Sequence, residues 1–359
     1  MTKKPTENLP DGSAFPGEEI RDGVRVVRMR SYMGEPRNAV LKGLDQIFLA
    51  LRVWIRLRFL ERPDVVLVYS PPLPLAAACA ASGYPLVVNL HDLYPRTAVE
   101  LGRLRSPLLI ALAECVEDFV YRRTHMFVVP APDSARYLMD KKGISSDRVL
   151  LCYNWVDFKA MAPGDGETFR QAHGLEDKFV ATYAGLVGVA QDLSAVVDAA
   201  KHSRGDARLV FLIIGEGAEL GHWKAEGAGL PNLRFLPTLP RQEYLEALRA
   251  SDACLLALSA NLRSPAIPGK LQNIMAVAKP VLAVVPVGSA AARTVEESGC
   301  GIVTPPGDGA ALLAAVERLR SDAGLCERLG AAGRRFAEDH FAIDAAVAVF
   351  ETALRQAVP

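Results

Sequence analysis

The stretch PAIPGKLQNIMAVAKPVLAVVPVGSAAARTVEESGCGIVTPPGD, residues 265–308, decides the fold of this chain. Its pattern predicts a helix over 271–278, ended by Pro280, and a buried strand over 281–285. A second helix and a short strand at 301–304 follow. This alternation predicts parallel αβ units, which place loops and helix N-termini at the carboxyl ends of strands, where such folds bind ligands.

Lys270 stands at the N-terminus of the first of these helices, directly after Pro268 and Gly269, which break the preceding segment. A lysine at a helix N-terminus can hold phosphate through its own charge and through the exposed backbone N–H groups. A surface lysine on an ordinary αβ crossover would give the same local pattern. The rest of the chain has to decide between these two interpretations.

Composition favours a globular protein of two domains. The chain has 359 residues, of which 50% are hydrophobic and 23% charged, which is long for one domain and ordinary for two. Lys plus Arg and Asp plus Glu both number 41. This balance argues against a general basic surface for nucleic acid, though not against a local basic patch. The six cysteines are scattered without paired spacing, so we expect reduced core thiols in a cytoplasmic protein and neither a disulfide framework nor a zinc site.

The N-terminal residues predict a loop to about residue 23 and lack the apolar core of a signal peptide. No uncharged apolar run approaches the ~18–20 residues that a membrane-spanning helix needs. A long helix is predicted over 38–61, with an apolar stripe and a cluster of arginines in its C-terminal half. Such a helix can lie on an anionic membrane surface, or it can be a core helix with a solvated arginine edge.

Apolar runs at 64–69 and 85–90 predict buried parallel strands in the first half, and the second of them ends on His91-Asp92. Active sites in open parallel sheets lie at this end of a strand. His91 could instead be a histidine that packs in the core or caps an element. Asp92 could likewise have only a structural role at the end of the strand. The pattern lapses between 157 and 177, where we place the domain boundary.

A second βα series follows the boundary. A strand over 179–183 leads into Gly185-Leu186-Val187-Gly188 and a helix from about 190 to 201, and a strand over 209–214 ends in Gly215-Glu216-Gly217. Glycines at these turns let the backbone approach a ligand closely, with a helix N-terminus behind the first turn.

Taken together, these segments resemble the retaining, nucleotide-sugar-dependent glycosyltransferases of family 4, which have the GT-B fold. The bacterial subgroup that builds lipopolysaccharide, capsule and exopolysaccharide repeat units is the most similar. The matching segments are YAGLVGVAQDLSAVVDAA (183–200), FLIIGEGAEL (211–220), PAIPGKLQNIMAVAKPVLAV (265–284), GIVTPPGD (301–308), NLHDLYPRTAVELG (89–102), VYRRTHMFVV (120–129) and NWVD (154–157).

The resemblance implies an α/β protein with two Rossmann-like domains, each a parallel sheet flanked by helices. The acceptor-side domain would cover residues 1–160, and the nucleotide-sugar-binding domain residues 161–335. A C-terminal helix in 336–359 would pack back on the first domain.

The resemblance also implies the site. His91, Asp92 and Lys270 would form the catalytic set, with Lys270 near the donor pyrophosphate, where it would stabilise the leaving diphosphate. The donor-binding residues would be Gly185, Gly188, Gln191, Gly215, Gly217, Lys270 and Asn273. The donor would be a UDP- or GDP-sugar, and we expect neither a metal nor a further cofactor.

Three features depart from the family pattern. Relatives carry two glutamates separated by seven residues, and these slots hold Pro265 and Asn273 here. Arg96-Thr97 follows Pro95, where the subgroup usually has Glu-Ser. The family's first strand, glycine-rich loop, helix and second strand have no counterpart, since the match begins near Asn8 and Gly12. We therefore expect either an incomplete N-terminal sheet or a start codon further upstream.

The activity that the resemblance implies is a hexosyl- or N-acetylhexosaminyltransferase of cell-surface polysaccharide biosynthesis. Its acceptor would be lipid-linked or a growing saccharide, which implies peripheral contact with the inner face of the cytoplasmic membrane. One alternative is a non-catalytic accessory subunit that binds a nucleotide sugar or a partner transferase. Another is a different activity on the same scaffold, such as a sugar-nucleotide epimerase or a phosphorylase.

Overall fold

A computed structural model describes residues 17–29, 39–100, 102, 104–159, 161, 164–262 and 267–358. Within these residues the chain forms two parallel β-sheets flanked by helices and one short antiparallel hairpin. This confirms the α/β class and the parallel sheets that the sequence predicts. None of the helices in the described ranges is long and apolar enough to span a bilayer.

The hairpin joins β1 (Glu18–Arg21) to β2 (Val24–Val27). The prediction of a loop to about residue 23 was wrong for β1, and residues 1–16 of that prediction lie outside the described residues. Asp22 and Gly23 form the turn, with φ values of 51° and 80°. A tight hairpin turn needs left-handed backbone at both central positions, and Asp-Gly is a sequence that supplies it.

The first domain has a parallel sheet in the order β3-β4-β5-β6 among the described residues. Its strands are β3 (Val66–Ser70), β4 (Leu86–Leu90), β5 (Met126–Val129) and β6 (Val149–Leu151). Its helices are α1 (Ala39–Phe59), α2 (Leu73–Ala80), α3 (Arg96–Glu100), α4 (Pro107–Arg123) and α5 (Pro132–Lys142). β4 and β5 are buried along their whole length, as expected of central parallel strands.

Helix α1 forms where the sequence predicts it, but its apolar stripe faces outward. Leu44, Ile47, Leu51 and Ile55 are between 43% and 56% exposed, and Phe59 is 84% exposed. The helix is held to the domain by Leu57, which packs against the core, and by the Trp54 indole, which donates to the Ala81 carbonyl at 3.4 Å. The interpretation of this stripe as part of the core is therefore wrong for the described residues.

The second domain has a parallel sheet in the order β12-β11-β10-β7-β8-β9. Its strands are β7 (Phe179–Ala184), β8 (Leu209–Ile214), β9 (Leu233–Leu236), β10 (Ala253–Ala257), β11 (Val281–Val284) and β12 (Gly301–Thr304). Chain order reverses between β7 and β10, which is the topological switch point where such sheets bind ligands. Two buried clusters, one on each face, enclose this sheet.

Eight helices of the described chain belong to the second domain and the segment after it. They are α6 (Glu167–His173), α7 (Ser194–His202), α8 (Leu220–Glu226), α9 (Arg241–Ala250), α10 (Gly269–Ala276), α11 (Ala290–Ser298), α12 (Gly309–Ser321) and α13 (Ala323–His340). Helix α10 ends at Ala276, two residues before the predicted end, and Ala278 has left-handed backbone with φ 55°.

The chain returns to the first domain through its last helix, α14 (Ile343–Ala357). Ala346, Ala353 and Ala357 pack in one cluster with Val87 and Met126 of the first sheet. The small alanine side chains bring the helix close to the strands.

Candidate functional site

Two glycine turns lie against each other at the carboxyl ends of β7 and β8. Gly185 follows β7 with φ 145°, and Gly215 follows β8 with φ 144°. A Cβ atom on Gly215 would lie 2.0 Å from the Gly185 carbonyl oxygen, and one on Gly217 would lie 2.0 Å from the Val187 oxygen. Only glycine fits backbone packed this closely, so the predicted donor-binding glycines 185, 215 and 217 come together.

Lys270 lies over the first of these turns. It is the second residue of α10, and its Nζ donates to the Tyr183 hydroxyl at 2.5 Å and lies 3.8 Å from the centroid of the Tyr183 ring. A Cβ atom on Gly185 would lie 3.2 Å from Nζ. The structure therefore brings Lys270 and Gly185 together at the switch point of the sheet.

Burial lowers the pKa of Lys270 to about 7. The residue as a whole is half-buried, and in the described part of the chain no carboxylate forms an ion pair with it. Burial raises the pKa of Tyr183, so the phenol stays neutral; it donates to the Leu186 carbonyl at 2.6 Å and accepts from the lysine. An anion placed beside Nζ would restore the charge of the ammonium.

Gln191 closes the turn that carries Gly188. The Gly188 amide donates to the Gln191 side-chain oxygen at 3.2 Å, and the Gln191 amide donates to the Gly188 carbonyl at 3.0 Å. Helix α7 begins at Ser194 and not near residue 190 as predicted. The Asp192 carboxylate accepts from the Ser194 amide at 2.9 Å, and such local side-chain bonds compete with helix formation.

Asn273 is half-buried on α10 and hydrogen-bonds to the Tyr244 hydroxyl of α9. Burial raises the pKa of Tyr244 to about 12, so this hydroxyl stays protonated. The amide of Asn273 is thus already engaged by a neighbouring helix. Pro265, which takes the other glutamate slot of the family pattern, lies outside the described residues.

Sequence reasoning missed the two tyrosines that contact the predicted site residues. Tyr183 stands in the quoted segment 183–200, directly before the glycine turn, yet apolar neighbours made it look like an ordinary strand residue. Tyr244 stands in a helix 29 positions before Asn273, and nothing in local spacing predicts their contact. Asn154, from the segment NWVD, approaches the start of α10, where a Cβ atom on Gly269 would lie 3.9 Å from its Nδ2.

His91 and Asp92 lie at the carboxyl end of β4 in the first domain. The His91 amide donates to the Ser70 carbonyl at 3.0 Å, and its ring stacks on Tyr69 with 5.4 Å between centroids. Burial lowers the pKa of His91, against the opposing charge of Asp92, so the ring is neutral at pH 7. Burial raises the pKa of Asp92, against the opposing charge of His91.

A cavity of about 680 Å³ separates the carboxyl ends of the two sheets. Helix α5 and Arg96 line it from the first domain, and residues 286–290 line it from the second. Asp133 of α5 forms an ion pair with Arg293 of α11, which joins the two walls. Within the described ranges, no group of three or more His, Cys, Asp or Glu side chains is placed to hold a metal.

Two family models match the chain, one for each domain. Residues 8–155 match the Glycosyl transferase 4-like domain, and residues 178–322 match Glycosyl transferases group 1. Among curated proteins, WbjE of Pseudomonas aeruginosa, named as a probable glycosyltransferase, is 27% identical over 77% of this chain and 72% of its own. WcaI of Escherichia coli (strain K12), named as a colanic acid biosynthesis glycosyl transferase, is 30% identical over 40% of this chain and 37% of its own.

Solved structures share the overall architecture. HepE of Anabaena, solved in complex with UDP, has a TM-score of 0.66 and 17% identity over 86% of this chain and 83% of its own. Sucrose-phosphate synthase of Thermosynechococcus elongatus has a TM-score of 0.74 and 15% identity over 95% of this chain and 86% of its own. At these identities the likeness shows the fold, which is GT-B with two Rossmann-like domains.

Proposed function

The chain belongs to the glycosyltransferases of GT-B fold, and from that premise we propose that it moves a sugar from a nucleotide-sugar donor to an acceptor in cell-surface polysaccharide biosynthesis. The observation that carries the proposal is the position of Lys270, over the glycine turn at Gly185 and at a helix N-terminus. A buried ammonium without a carboxylate partner is suited to an anion supplied by a ligand. The names of WbjE and WcaI support the biosynthetic setting.

The donor is a UDP- or GDP-sugar that carries a hexose or an N-acetylhexosamine. HepE has been solved with UDP and with UDP-glucose, which supports a nucleotide-sugar donor. The diphosphate would lie between Lys270 and the packed turns at Gly185 and Gly215, where the backbone is free of side chains. Gly217 and Asn273 would lie toward the nucleoside.

The reaction is transfer with retention at the anomeric carbon. The bond from that carbon to the donor β-phosphate oxygen breaks, and a bond to the acceptor oxygen forms on the same face. Because the acceptor attacks on the face that the phosphate leaves, the protein needs no nucleophile. The acceptor proton passes to the leaving phosphate, which therefore takes the part of the base. Lys270 stabilises the charge that grows on the diphosphate, and the neutral ring of His91 faces the donor sugar from the first domain, with Asp92 beside it.

A non-catalytic accessory subunit is the second candidate. The contact between Asn273 and Tyr244 favours it, because the amide is already committed to a protein partner and lacks the charge-assisted strength of a carboxylate. This candidate binds a nucleotide sugar without turnover. Release of UDP or GDP from the sugar nucleotide in the presence of bacterial lipid extract distinguishes it from the enzyme.

We place the lipid of a lipid-linked acceptor, and with it the inner face of the cytoplasmic membrane, next to helix α1. Its exposed stripe, with Ile47 and Phe59 the most exposed members described in that helix, and its nearby arginines suit an anionic lipid surface. Cosedimentation with anionic vesicles tests this. Ile47→Glu should abolish binding, whereas Val347→Glu, at an equally open position of α14, should not; retention of binding by Ile47→Glu would contradict the proposal.

A thermal-shift panel of nucleotides and sugar nucleotides tests the donor site, with Lys270→Ala beside the wild type. A ligand at 100 times its dissociation constant should stabilise the protein by about 2.7 kcal/mol. We expect a shift with one nucleotide class that the variant loses. No shift with any nucleotide, from protein that still melts cooperatively, would refute the proposed function.

A further inference from the structure

One face of α5 forms the first-domain wall of the interdomain cavity. Five of its residues point there at a spacing of three, four, seven and eight positions, which is one side of a helix. They are Asp133, Arg136, Tyr137, Asp140 and Lys141. Arg96, at the start of α3, completes this wall.

Positive charge prevails on the wall. Three cations and two carboxylates line the cavity, and one of the carboxylates, Asp133, is shared by Arg136 and, across the cavity, by Arg293. When the ion-pair partners of the lining residues, Arg293 and Glu100, are counted as well, four cations face three carboxylates. Arg136 and Lys141 are exposed to the solvent of the cavity, so a ligand can reach them.

Arg96 is held in a fixed orientation. Its guanidinium lies 5.2 Å from the centroid of the Tyr137 ring, and its Nε donates to the Glu100 carboxylate at 2.8 Å. A guanidinium is planar and carries five donors. Among the described residues Glu100 takes only the Nε proton, which leaves the terminal N–H groups for a planar or tetrahedral anion.

The opposite wall of the cavity adds the partial positive charge of a helix N-terminus. Residues 286–290 form the turn into α11, and the Ser289 hydroxyl caps the helix by accepting from the Ala292 amide at 3.2 Å. The first turn of a helix carries partial positive charge. Ala260 and Leu262 supply apolar surface between the two walls, which suits the apolar face of a sugar ring.

The cavity adjoins the glycine turn of the donor site. The Ser259 amide, in the loop that leads to Leu262, donates to the Ala190 carbonyl at 2.9 Å. Ala190 follows Gly188 in the turn after β7. A ligand in the cavity and a diphosphate at the turn would therefore be neighbours.

We propose that this cavity is the acceptor site and that the acceptor carries an anionic group, a phosphate or the carboxylate of a sugar acid, which Arg96, Arg136 and Lys141 bind. This inference rests on the proposed function, whose acceptor it specifies. A cavity of about 680 Å³ lies within the range of ligand pockets and accommodates a sugar with its charged substituent.

Titration calorimetry on the full chain saturated with UDP tests the proposal, because UDP keeps the probes away from Lys270. The probes are methyl phosphate, glucuronate and, as the uncharged reference, glucose. We expect one anion to bind and glucose not to bind. Arg96→Gln and Arg136→Gln should each raise the dissociation constant for that anion about tenfold, as loss of a charge-assisted hydrogen bond does. The anion that binds more tightly identifies the source of the charge.

Arg123→Gln is the matched control, since Arg123 lines a separate basic cavity with Arg122 and Arg148. This variant should bind the anion with the affinity of wild type. Lys141→Gln, at an exposed position of α5, is a third variant that leaves the buried packing intact. Absence of binding by both anions, or wild-type affinity in all three cavity variants, would overturn the inference while UDP binding still supports the donor site. Failure of UDP itself to bind would instead refute the proposed function.

Discussion

Donor binding should take up a proton at Lys270. Burial places the pKa of this ammonium at about 7 in the free protein, so about one molecule in ten carries the charge at pH 8. A diphosphate beside Nζ favours the charged form and raises the pKa in the complex. Binding of UDP at pH 8 should therefore consume about 0.9 proton per site.

The sign of the pH dependence follows directly. Because the protonated lysine is the form that binds, the affinity for UDP falls as the pH rises above 7. Between pH 7 and pH 9 the charged fraction of the free protein drops from about one half to about one hundredth. The diphosphate of UDP keeps a nearly constant charge over this range, since the second phosphate pKa is about 6. The dissociation constant for UDP should increase about 50-fold.

Calorimetry of UDP binding in HEPES and in Tris, which differ in ionisation enthalpy, measures the proton uptake. Lys270→Arg is the matched variant, because a guanidinium stays charged across this range, and it should show neither proton uptake nor a change of affinity with pH. Equal heats in the two buffers for the wild type, with binding still lost in Lys270→Ala, would refute the reasoning about the buried ammonium.

Three further predictions concern the same turn. Lys270→Met should raise the melting temperature at pH 7. It should also remove the rise of wild-type stability between about pH 7 and 10.5, where Lys270 is protonated in the unfolded chain but neutral in the folded one. Differential scanning calorimetry at several pH values checks both results, and a pH dependence of stability equal to that of wild type would contradict them. Gly215→Ala should lower the free energy of unfolding by about 1–3 kcal/mol in urea denaturation, because its Cβ meets the Gly185 oxygen at 2.0 Å, whereas Gly205→Ala, with open space around it, should change it by less than about 0.5 kcal/mol. Tyr183→Phe removes the oxygen that accepts from the ammonium and should cost about 1 kcal/mol of stability by the same method, and full stability would show that this bond is unimportant.

The alternation of strands and helices could be predicted because buried parallel strands are continuous apolar runs and their turns are marked by glycine and proline. β8, Leu209–Ile214, and the turn at Gly215 are instances. The hairpin was missed although Asp22-Gly23 is a strong hairpin signal. Its strands are short and rich in charged residues, so they lack the clear alternation of apolar and polar residues that predicts a strand.

The exposed stripe of α1 marks a limit of sequence reasoning. Periodicity at Leu44, Leu51 and Ile55 predicts an apolar face but does not say what covers it. The absence of the family's first strand–loop–helix–strand unit stays a prediction, since Asn8 and Gly12 lie outside the described residues. The boundaries proposed for the two domains likewise stay predictions.

The candidate site could be predicted in part. Lys270 and the glycines were found from their place at the ends of strands, because position in a parallel sheet fixes position in space. The neighbours that set their chemistry could not be found in this way. The contact between Tyr244 and Asn273, and the ion pair between Asp133 and Arg293, join residues that are distant in the chain, and only the packed fold brings them together.

The return of the last helix to the first domain has a mechanical consequence. The chain passes between the domains twice, and the two passages are bonded side by side, since the Val156 amide donates to the Phe341 carbonyl at 2.7 Å and Val156 pairs with Ala342. Two adjoining connections act as one hinge: they bend together about a single axis but resist twisting of one domain against the other. The cleft should therefore open and close along a single path, and each closure returns Arg293 to the same partner, Asp133.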